Sequence, residues 1–234
     1  MGLGASRYTR DLGPGGSAIA AIPPDPRPRG PRAVKRGLDV VLAATLLVLA
    51  APLLAVTCAV IRLESPGAAI YRQRRVGKGG QEFDLLKLRT MMRGAESMGA
   101  GLAVDEGDPR ITRIGALLRR FSLDELPNLV NVLAGDLSLV GPRPTVQSQV
   151  AQYDPRQLGR LAVEPGITGW AQVCGRAALP WHERIELDLW YIEHWSPRLD
   201  ARILVQTARM LLSGQGLYRG ETGGWRPPPN GGPD

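Results

Sequence analysis

Cysteine and histidine are scarce in this sequence, and their scarcity excludes several kinds of site. The 234-residue chain contains two cysteines, Cys58 and Cys174, and two histidines, His182 and His194. Two cysteines cannot build a disulfide framework, and they cannot by themselves supply a four-ligand zinc site. A hydrolase that depends on a histidine-centred triad is also disfavoured by this inventory.

Lysine is scarce as well, although the chain is strongly basic. The chain has 29 basic residues, of which only Lys35, Lys78 and Lys87 are lysines. Against 22 acidic residues they give a formal net charge of +7. The hydrophobic content of 44% is enough for a packed core, so disorder over the whole chain is excluded. A chain this basic is expected to bind an anionic partner: nucleic acid, acidic lipid or a phosphorylated substrate.

Both ends of the chain have the composition of disordered tails. Residues 1–34 are dense in proline and glycine and lack apolar periodicity, which predicts a flexible tail without a core. Through Arg36 this tail holds +5 of the net charge, and it has neither the apolar run nor the cleavage site of a secretory signal. Residues 219–234, with Pro227 to Pro229, are predicted to be a second tail.

A long uncharged stretch runs from Val40 to Ile61, with Thr45 and Thr57 as its polar residues. As a helix it would be about 33 Å long, which matches a hydrocarbon core of about 30 Å. We therefore predict a membrane helix over residues 35–62. The alternative is a buried core helix of a soluble protein, but such helices seldom run this long without a polar face.

The charges beside this helix favour a re-entrant path. Lys35 and Arg36 precede it, and five basic residues follow: Arg62, Arg72, Arg74, Arg75 and Lys78. The positive-inside rule assigns both flanks to the cytoplasm, which one crossing cannot satisfy. Pro52 removes a helical hydrogen bond and predicts a bend near the middle. A straight single-pass helix is the alternative, since prolines are common in such helices.

A β-hairpin is predicted after the membrane helix. Its strands are Ala69 to Val76 and Gln81 to Met91, joined by a glycine-rich turn at Gly77 to Gly80. Lys87 and Arg89 share one face by period-two alternation. These two cations form either an anion clamp or a solvated basic edge.

The sequence SLDELP contains the main candidates for chemistry. Ser122 and Glu125 have the spacing of a capping box, which places Asp124 in the first turn of a helix. A helix N-terminus favours an ionised Asp124 and collects phosphates, and a carboxylate of low pKa there suits attack on phosphorus. Glu125 either assists a metal or a proton transfer, or simply caps its helix. If Pro127 begins the helix instead, Asp124 or Glu125 becomes the cap.

Further elements flank this motif. Apolar residues at helical spacing from Ile114 to Phe121 predict an amphipathic helix before it. Gly135 is expected to end the helix after it, and Leu137 to Val140 to form a short strand. The strand leads to Arg143 between two prolines, which fix the backbone and favour phosphate binding; a rigid turn with a solvated arginine is the alternative.

The last predicted helix begins with Ser196 as its cap and Pro197 in its first turn. Three arginines line one of its faces: Arg198, Arg202 and Arg209. This pattern, after a cluster of tryptophans, indicates either an amphipathic helix at the membrane interface or a core helix.

Four motifs occur in the order known from one family: KRGLDVVLA, FDLLKLRTM, DPRITRIGALLRRFSLDELPNLVNVLAGDLSLVGPRP and EPGITGWAQVCGR. From about Val34 to Gly216 the chain resembles the bacterial sugar transferases, and in particular their small monotopic phosphoglycosyl transferases. The resemblance implies an α+β, mostly helical fold with a re-entrant membrane helix that breaks at Pro52, interfacial helices and a cytosolic catalytic domain over residues 63–218.

The resemblance also implies an activity at the cytoplasmic face of the bacterial inner membrane. Asp124 and Glu125 match the family's catalytic dyad, which uses Mg²⁺ with Asp124 at the metal. Asp124 would attack the β-phosphate of a UDP-sugar, release UMP and pass the phosphosugar to undecaprenyl (polyprenyl) phosphate. Four cations would contact the donor phosphates: Lys87, Arg89, Arg110 and Arg143. Expected partners are membrane lipids and downstream glycosyltransferases but no nucleic acid, and a homodimer is left open.

Two residues depart from the family pattern. Ala51 stands before Pro52 where serine is usual, and Cys174 stands where asparagine is expected. The residues do not identify the sugar. Composition alone also permits a non-catalytic, membrane-anchored basic adaptor for anionic lipid or nucleic acid, and an ordinary glycosyltransferase would release UDP instead of UMP.

Overall fold

The computed structural model describes residues 22–95, 98, 108–175 and 179–213, and these are mostly helical. Seven α-helices and four strands occur there, in chain order α1 (Arg29–Glu64), β1 (Ile70–Val76), β2 (Glu82–Leu88), α2 (Arg113–Arg120), α3 (Asn128–Ala134), β3 (Ser138–Val140), α4 (Gln147–Val150), β4 (Gly166–Thr168), α5 (Trp170–Cys174), α6 (Trp181–Glu193) and α7 (Pro197–Ser213). Three 3₁₀ segments join them, at Lys78–Gly80, Leu123–Glu125 and Gln157–Ala162.

The strands form two small sheets. β1 and β2 pair antiparallel with Ile70 opposite Leu88, which confirms the predicted hairpin. β3 pairs in parallel with β4, a strand that the sequence did not predict. Glycine is required at Gly166, because a Cβ there would lie 2.1 Å from the backbone nitrogen of Gly141. The close approach of these two glycines brings the loop after β3 against β4.

The long apolar helix is present and exposes most of its side chains. α1 continues through Pro52, so the proline does not end the helix. Its most apolar window is only 11% buried, and Val48, Leu49 and Leu63 are among its exposed residues. A core helix of a soluble protein would bury these side chains. α1 is therefore long and apolar enough to enter a membrane.

The predicted boundary of the first tail is wrong. α1 begins at Arg29, and residues 22–28 before it already contact the domain. Arg27 is 5% exposed and its Nη2 donates to Glu164 Oε2 at 2.5 Å. The charged pair forms across 137 positions of sequence, which local composition does not reveal. Residues 1–21 and 214–234, which include the other tail predictions, lie outside the described residues.

Both ends of α1 pack against the same domain. Near its start, Lys35 Nζ lies 2.7 Å from Asp200 Oδ2, and Asp39 accepts a 2.7 Å hydrogen bond from Ser138 Oγ. At its other end, Ile61 packs with apolar residues of the hairpin and α2. The middle of the helix, from Ala44 to Val56, has no buried residue.

The main core lies between the first half of α1, the hairpin, α3, β3, α6 and α7. Tyr191 is fully buried there, and its hydroxyl donates to Asp200 Oδ1 at 2.7 Å. The predicted end of α3 is confirmed, because Gly135 caps it with a φ of 97°. The predicted cap of α7 is also confirmed, since Leu199 N donates to Ser196 Oγ at 3.2 Å.

Candidate active site

The SLDELP segment turns sharply before α3. Ser122 has a left-handed backbone (φ 53°, ψ 25°), and Leu123–Glu125 follow as a 3₁₀ turn. The predicted capping box is wrong, because the Ser122 side chain makes no capping hydrogen bond and Glu125 points to other residues. α3 itself begins at Asn128, directly after Pro127. The turn thus presents two adjacent carboxylates ahead of the helix.

Glu125 is held by two of the predicted cations. Lys87 Nζ on β2 lies 2.8 Å from Glu125 Oε1, and Arg143 Nη2 lies 3.1 Å from the same oxygen. The Glu125 side chain is 20% exposed. Burial raises the pKa of Glu125, but the charges and hydrogen bonds of Lys87 and Arg143 outweigh it and hold that pKa well below its usual range. Glu125 is therefore ionised, and the interpretation that it caps its own helix is wrong.

Asp124 has a different environment from its neighbour. Its half-buried carboxylate accepts no hydrogen bond from any residue that the structure describes. Burial and then the negative charge of Glu125 raise the pKa of Asp124, although Lys87, Arg119 and Arg143 act in the opposite direction. The expectation of a lowered pKa at a helix N-terminus is thus wrong. The form of Asp124 that can act as a nucleophile is the ionised carboxylate, which the charges of Lys87, Arg119 and Arg143 favour.

A cleft that is partly open to solvent lies beside Glu125. It is lined by charged, polar and apolar side chains and by backbone: Arg75, Leu85, Lys87, Glu125, Asn128, Leu137, Arg143, Pro144, Gly166 and Ile167. The cleft therefore gathers residues from the hairpin, the α3 start, the loop after β3 and β4. Two of the predicted phosphate ligands, Lys87 and Arg143, line this cleft and bind the Glu125 carboxylate.

Sequence reasoning missed three residues here. Arg75 on β1 lines the cleft and donates from Nη1 to the Pro144 carbonyl at 3.3 Å. Asn128 also lines it and is 3% exposed, and its Oδ1 has no hydrogen-bond partner among the described residues. Arg119 adds positive charge near Asp124. Its position at the end of the predicted amphipathic helix, five residues before Asp124, was the available signal.

The other two predicted phosphate ligands do not line this cleft. Arg89 Nη1 and Nη2 donate to the carbonyls of Pro66 and Ser65 at 2.8 and 2.7 Å, beyond the end of α1. Arg110 is buried and binds Asp108, with Nη2 at 2.6 Å from Asp108 Oδ2. Arg89 therefore satisfies backbone carbonyls at a helix end. Pro52 lies within the exposed part of α1, outside the cleft.

The dyad has donors that suit magnesium more than zinc. Among the described residues, no three His, Cys, Asp or Glu side chains cluster as a metal site. Mg²⁺ commonly binds through one or two carboxylates, with water and substrate phosphates completing its shell. The adjacent residues Asp124 and Glu125 supply two carboxylates for such a site, and that of Asp124 accepts no hydrogen bond from the described residues.

Comparison with known proteins places these features in a family. The model for "Bacterial sugar transferase" matches residues 30–214. The uncharacterized sugar transferase EpsL of Bacillus subtilis is 44% identical over 186 residues, which are 80% of this chain and 91% of that protein. A UDP-glucose:undecaprenyl-phosphate glucose-1-phosphate transferase of Caulobacter vibrioides is 43% identical over 217 residues, covering 89% of this chain and 81% of the relative.

A longer relative has a similar identity to this chain. The UDP-N-acetylgalactosamine-undecaprenyl-phosphate N-acetylgalactosaminephosphotransferase of Aeromonas hydrophila is 44% identical over 189 residues, which are 78% of this chain but 44% of that protein. The matched region in all three includes most of the described chain. With its motifs in order, Glu125 of the dyad at a cleft and a family match over residues 30–214, the chain belongs to the bacterial sugar transferases.

Proposed function

We propose that the protein transfers a sugar-1-phosphate from a UDP-sugar to undecaprenyl phosphate, with Asp124 as the nucleophile. The names of the relatives from Caulobacter vibrioides and Aeromonas hydrophila support the donor and acceptor classes. The observation that most favours Asp124 is the contrast within the dyad: Glu125 is held by two cations, whereas the Asp124 carboxylate accepts no hydrogen bond from the described residues.

The proposed reaction has two displacements at one phosphorus. An Asp124 oxygen bonds to the β-phosphorus of the UDP-sugar, the bond to the bridging oxygen breaks, and UMP leaves with the electron pair. A phosphate oxygen of undecaprenyl phosphate then attacks the same phosphorus. The bond to Asp124 breaks, which restores the carboxylate and yields undecaprenyl-diphosphate-sugar.

The cations of the cleft supply the charge that this transfer needs. Lys87 and Arg143 would bind oxygens of the β-phosphate, where negative charge is concentrated in the transition state. Both already face a carboxylate oxygen of Glu125, so their positions are set before the substrate arrives. Arg75 and Asn128 line the same cleft and are further candidates for contacts with the donor.

Asp124 and Glu125 would hold the magnesium ion, which when bound would neutralise the charge of the donor diphosphate. Lys87 and Arg143 would keep the same role with the magnesium ion bound. Lys87 on β2 and Arg143 in the loop after β3 would still neutralise Glu125 and orient the donor phosphate.

The membrane arrangement that we propose is monotopic, on the cytoplasmic face. Both ends of α1, about 37 Å apart between Arg36 and Ile61, contact one charged domain. A straight crossing would separate these ends by a bilayer. Val34→Cys and Leu63→Cys, each placed in a chain with Cys58 and Cys174 replaced by serine, test this arrangement. A membrane-impermeant maleimide should label neither in spheroplasts and both after permeabilisation; labelling of one alone in spheroplasts would refute it.

The activity is tested on detergent-purified protein with magnesium, undecaprenyl phosphate and a panel of UDP-sugars. Wild type should release UMP with one donor, and Asp124→Asn should lower the rate by at least about 1,000-fold at unchanged melting temperature (Tm). Asp84→Asn is the matched control, since Asp84 is a half-exposed hairpin carboxylate that pairs with Arg74 and does not line the cleft. Release of UDP, or equal rates in both variants, would overturn the proposal.

The covalent step has its own measurement. Wild type incubated with the donor alone should gain the mass of one phosphosugar, and Asp124→Asn should gain none. A phosphosugar on Asp124→Asn would place the nucleophile elsewhere.

A further inference from the structure

A buried ion pair lies next to the loop that carries Arg143. Arg160, in the 3₁₀ segment Gln157–Ala162, and Asp188, on α6, are 5% and 1% exposed. Arg160 Nε and Nη2 lie 2.8 and 2.7 Å from Asp188 Oδ2. Burial raises the pKa of Asp188, so its charge depends on the opposing arginine. Taking two charges out of water is costly, so a buried ion pair need not stabilise the fold and can have another role.

The same guanidinium also binds the active-site loop. Arg160 Nη2 donates to the backbone carbonyl of Arg143 at 3.0 Å, and Nη1 donates to the Tyr153 hydroxyl. The Arg160 guanidinium carbon lies 5.4 Å from the centre of the Trp181 ring, which restricts its orientation further. One planar group thus holds Asp188, Tyr153 and the loop after β3 in a fixed relation.

Groups outside the loop hold its backbone on both sides of Arg143. Pro142 and Pro144 have no N–H to donate, and their carbonyls accept from Gly166 N at 2.8 Å and from Arg75 Nη1 at 3.3 Å. The Arg143 carbonyl between them is held by Arg160. The Arg143 side chain is 50% exposed, and its described contact is the 3.1 Å hydrogen bond to Glu125. Its position in the cleft therefore depends on where the backbone is held.

We propose that Arg160, oriented by Asp188, is a positioning residue that sets the Arg143 guanidinium over Glu125 and the donor phosphate. The inference rests on the proposed function, because it assigns Arg143 to the donor. Arg160 itself touches no substrate. A misplacement of about 1 Å at a phosphate ligand can cost about 100-fold in rate, so the contact to one carbonyl is enough to matter.

The test is Arg160→Lys, which retains the charge that Asp188 needs but lacks the planar fork. We expect UMP release to fall between about tenfold and 100-fold in kcat/KM. Arg156→Lys is the matched control: Arg156 pairs with Glu186 on the same α6 at 2.8 Å but does not contact the loop. It should leave the rate unchanged. Asp188→Asn is the second variant, and it should lower the rate as Arg160→Lys does.

A double-mutant cycle with Arg143→Ala separates positioning from general stability. If Arg160 acts through Arg143, then Arg160→Lys should have less than a twofold effect once Arg143 is alanine. An equal loss of kcat/KM on Arg160→Lys with arginine and with alanine at position 143 would overturn the inference. The same cycle can be measured without turnover by placing Asp124→Asn in all four proteins: the wild type, the two single variants and the double variant. The quantity compared is then the dissociation constant of a labelled UDP-sugar. A wild type that releases no UMP would defeat the proposed function, whereas an active wild type with additive effects would defeat this inference alone.

Discussion

Two clusters of acidic and basic side chains differ in how completely their charges are paired. The first is the cleft cluster of Asp124, Glu125, Lys87 and Arg143. The second, the strap cluster, ties residues 22–32 to the domain and consists of Asp25, Arg27, Arg32, Lys78 and Glu164. Each contains two carboxylates and at least two cations.

The pairing is complete in the strap cluster. Asp25 Oδ2 lies within 3.0 Å of Arg27, Arg32 and Lys78, and Glu164 binds Arg27 and Lys78 at 2.5 and 2.8 Å. Burial raises the pKa of Glu164, but hydrogen bonds from Lys78 and Arg27 outweigh it and lower that pKa to about 2. In the cleft cluster both cations bind Glu125 instead.

The difference shows how one set of residue types serves two purposes. In the strap cluster every carboxylate has a cation, so the ion pairs hold residues 22–32 against the domain and leave no carboxylate available for chemistry. Where the cations share a single carboxylate, the adjacent one retains a raised pKa and open lone pairs. The incomplete pairing in the cleft is what makes it a candidate for chemistry.

The largest expected contrast is between the same substitution at two lysines. Lys87→Met should lower UMP release by at least about 100-fold, because the cation that faces Glu125 and the donor phosphate is lost. Lys78→Met should leave kcat within about twofold and instead lower the free energy of unfolding by about 1 kcal/mol, since that lysine is 39% exposed. Steady-state rates and Tm values of the two variants give the comparison. If Lys78→Met reduced kcat as far as Lys87→Met does, the two clusters would not be functionally distinct.

A smaller effect is expected from pH at the strap cluster. The pKa of Glu164 is lowered to about 2 in the folded chain, so its contribution to stability is present above its unfolded value of about 4.3 and is lost as pH falls toward 2. Glu164→Gln removes that contribution at neutral pH and should lower Tm by about 2 to 4 °C, or about 1 kcal/mol.

The difference in Tm between wild type and Glu164→Gln should shrink as pH falls from 5 to 2. Glu186→Gln is a control, because Glu186 forms a more exposed pair with Arg156 and should change Tm less. A gap in Tm that stays constant between pH 5 and pH 2 would show that the glutamate acts by packing and not by charge.

Local patterns in the sequence predicted the elements that depend on neighbouring residues. Alternation with a glycine-rich turn indicated the hairpin, helical spacing indicated α2, and Gly135 indicated the end of α3. Lys87, Arg143 and Glu125 were also predicted as site residues, and the structure brings them together. These predictions needed only period, cap and turn chemistry, together with the family motifs.

The sequence did not predict which charged residues pair with distant parts of the chain. Arg89 and Lys87 share a face by alternation, yet Arg89 binds carbonyls that follow α1. Whether a basic residue faces substrate or backbone depends on which segment packs beside it. The raised pKa of Asp124 likewise follows from burial and from the state of Glu125, which sequence spacing does not report.

The smallest expected effect concerns the backbone next to each cluster. Beside Lys78, positive φ angles fall on Gly79 and Gly80, whereas beside the dyad one falls on Ser122, the single non-glycine of positive φ among the described residues. Left-handed backbone costs a residue with a Cβ about 1 to 2 kcal/mol, so replacing Ser122 by glycine relieves that strain. Glycine also gains entropy in the unfolded chain, which offsets about half of the relief. Ser122→Gly should therefore raise Tm by about 1 to 2 °C. It should also slow UMP release a few-fold, because a freer turn presents Asp124 less uniformly. Gly79→Ser is the reciprocal change and should lower Tm without slowing release. A faster Ser122→Gly variant would mean that the strained turn restrains the nucleophile instead of aligning it.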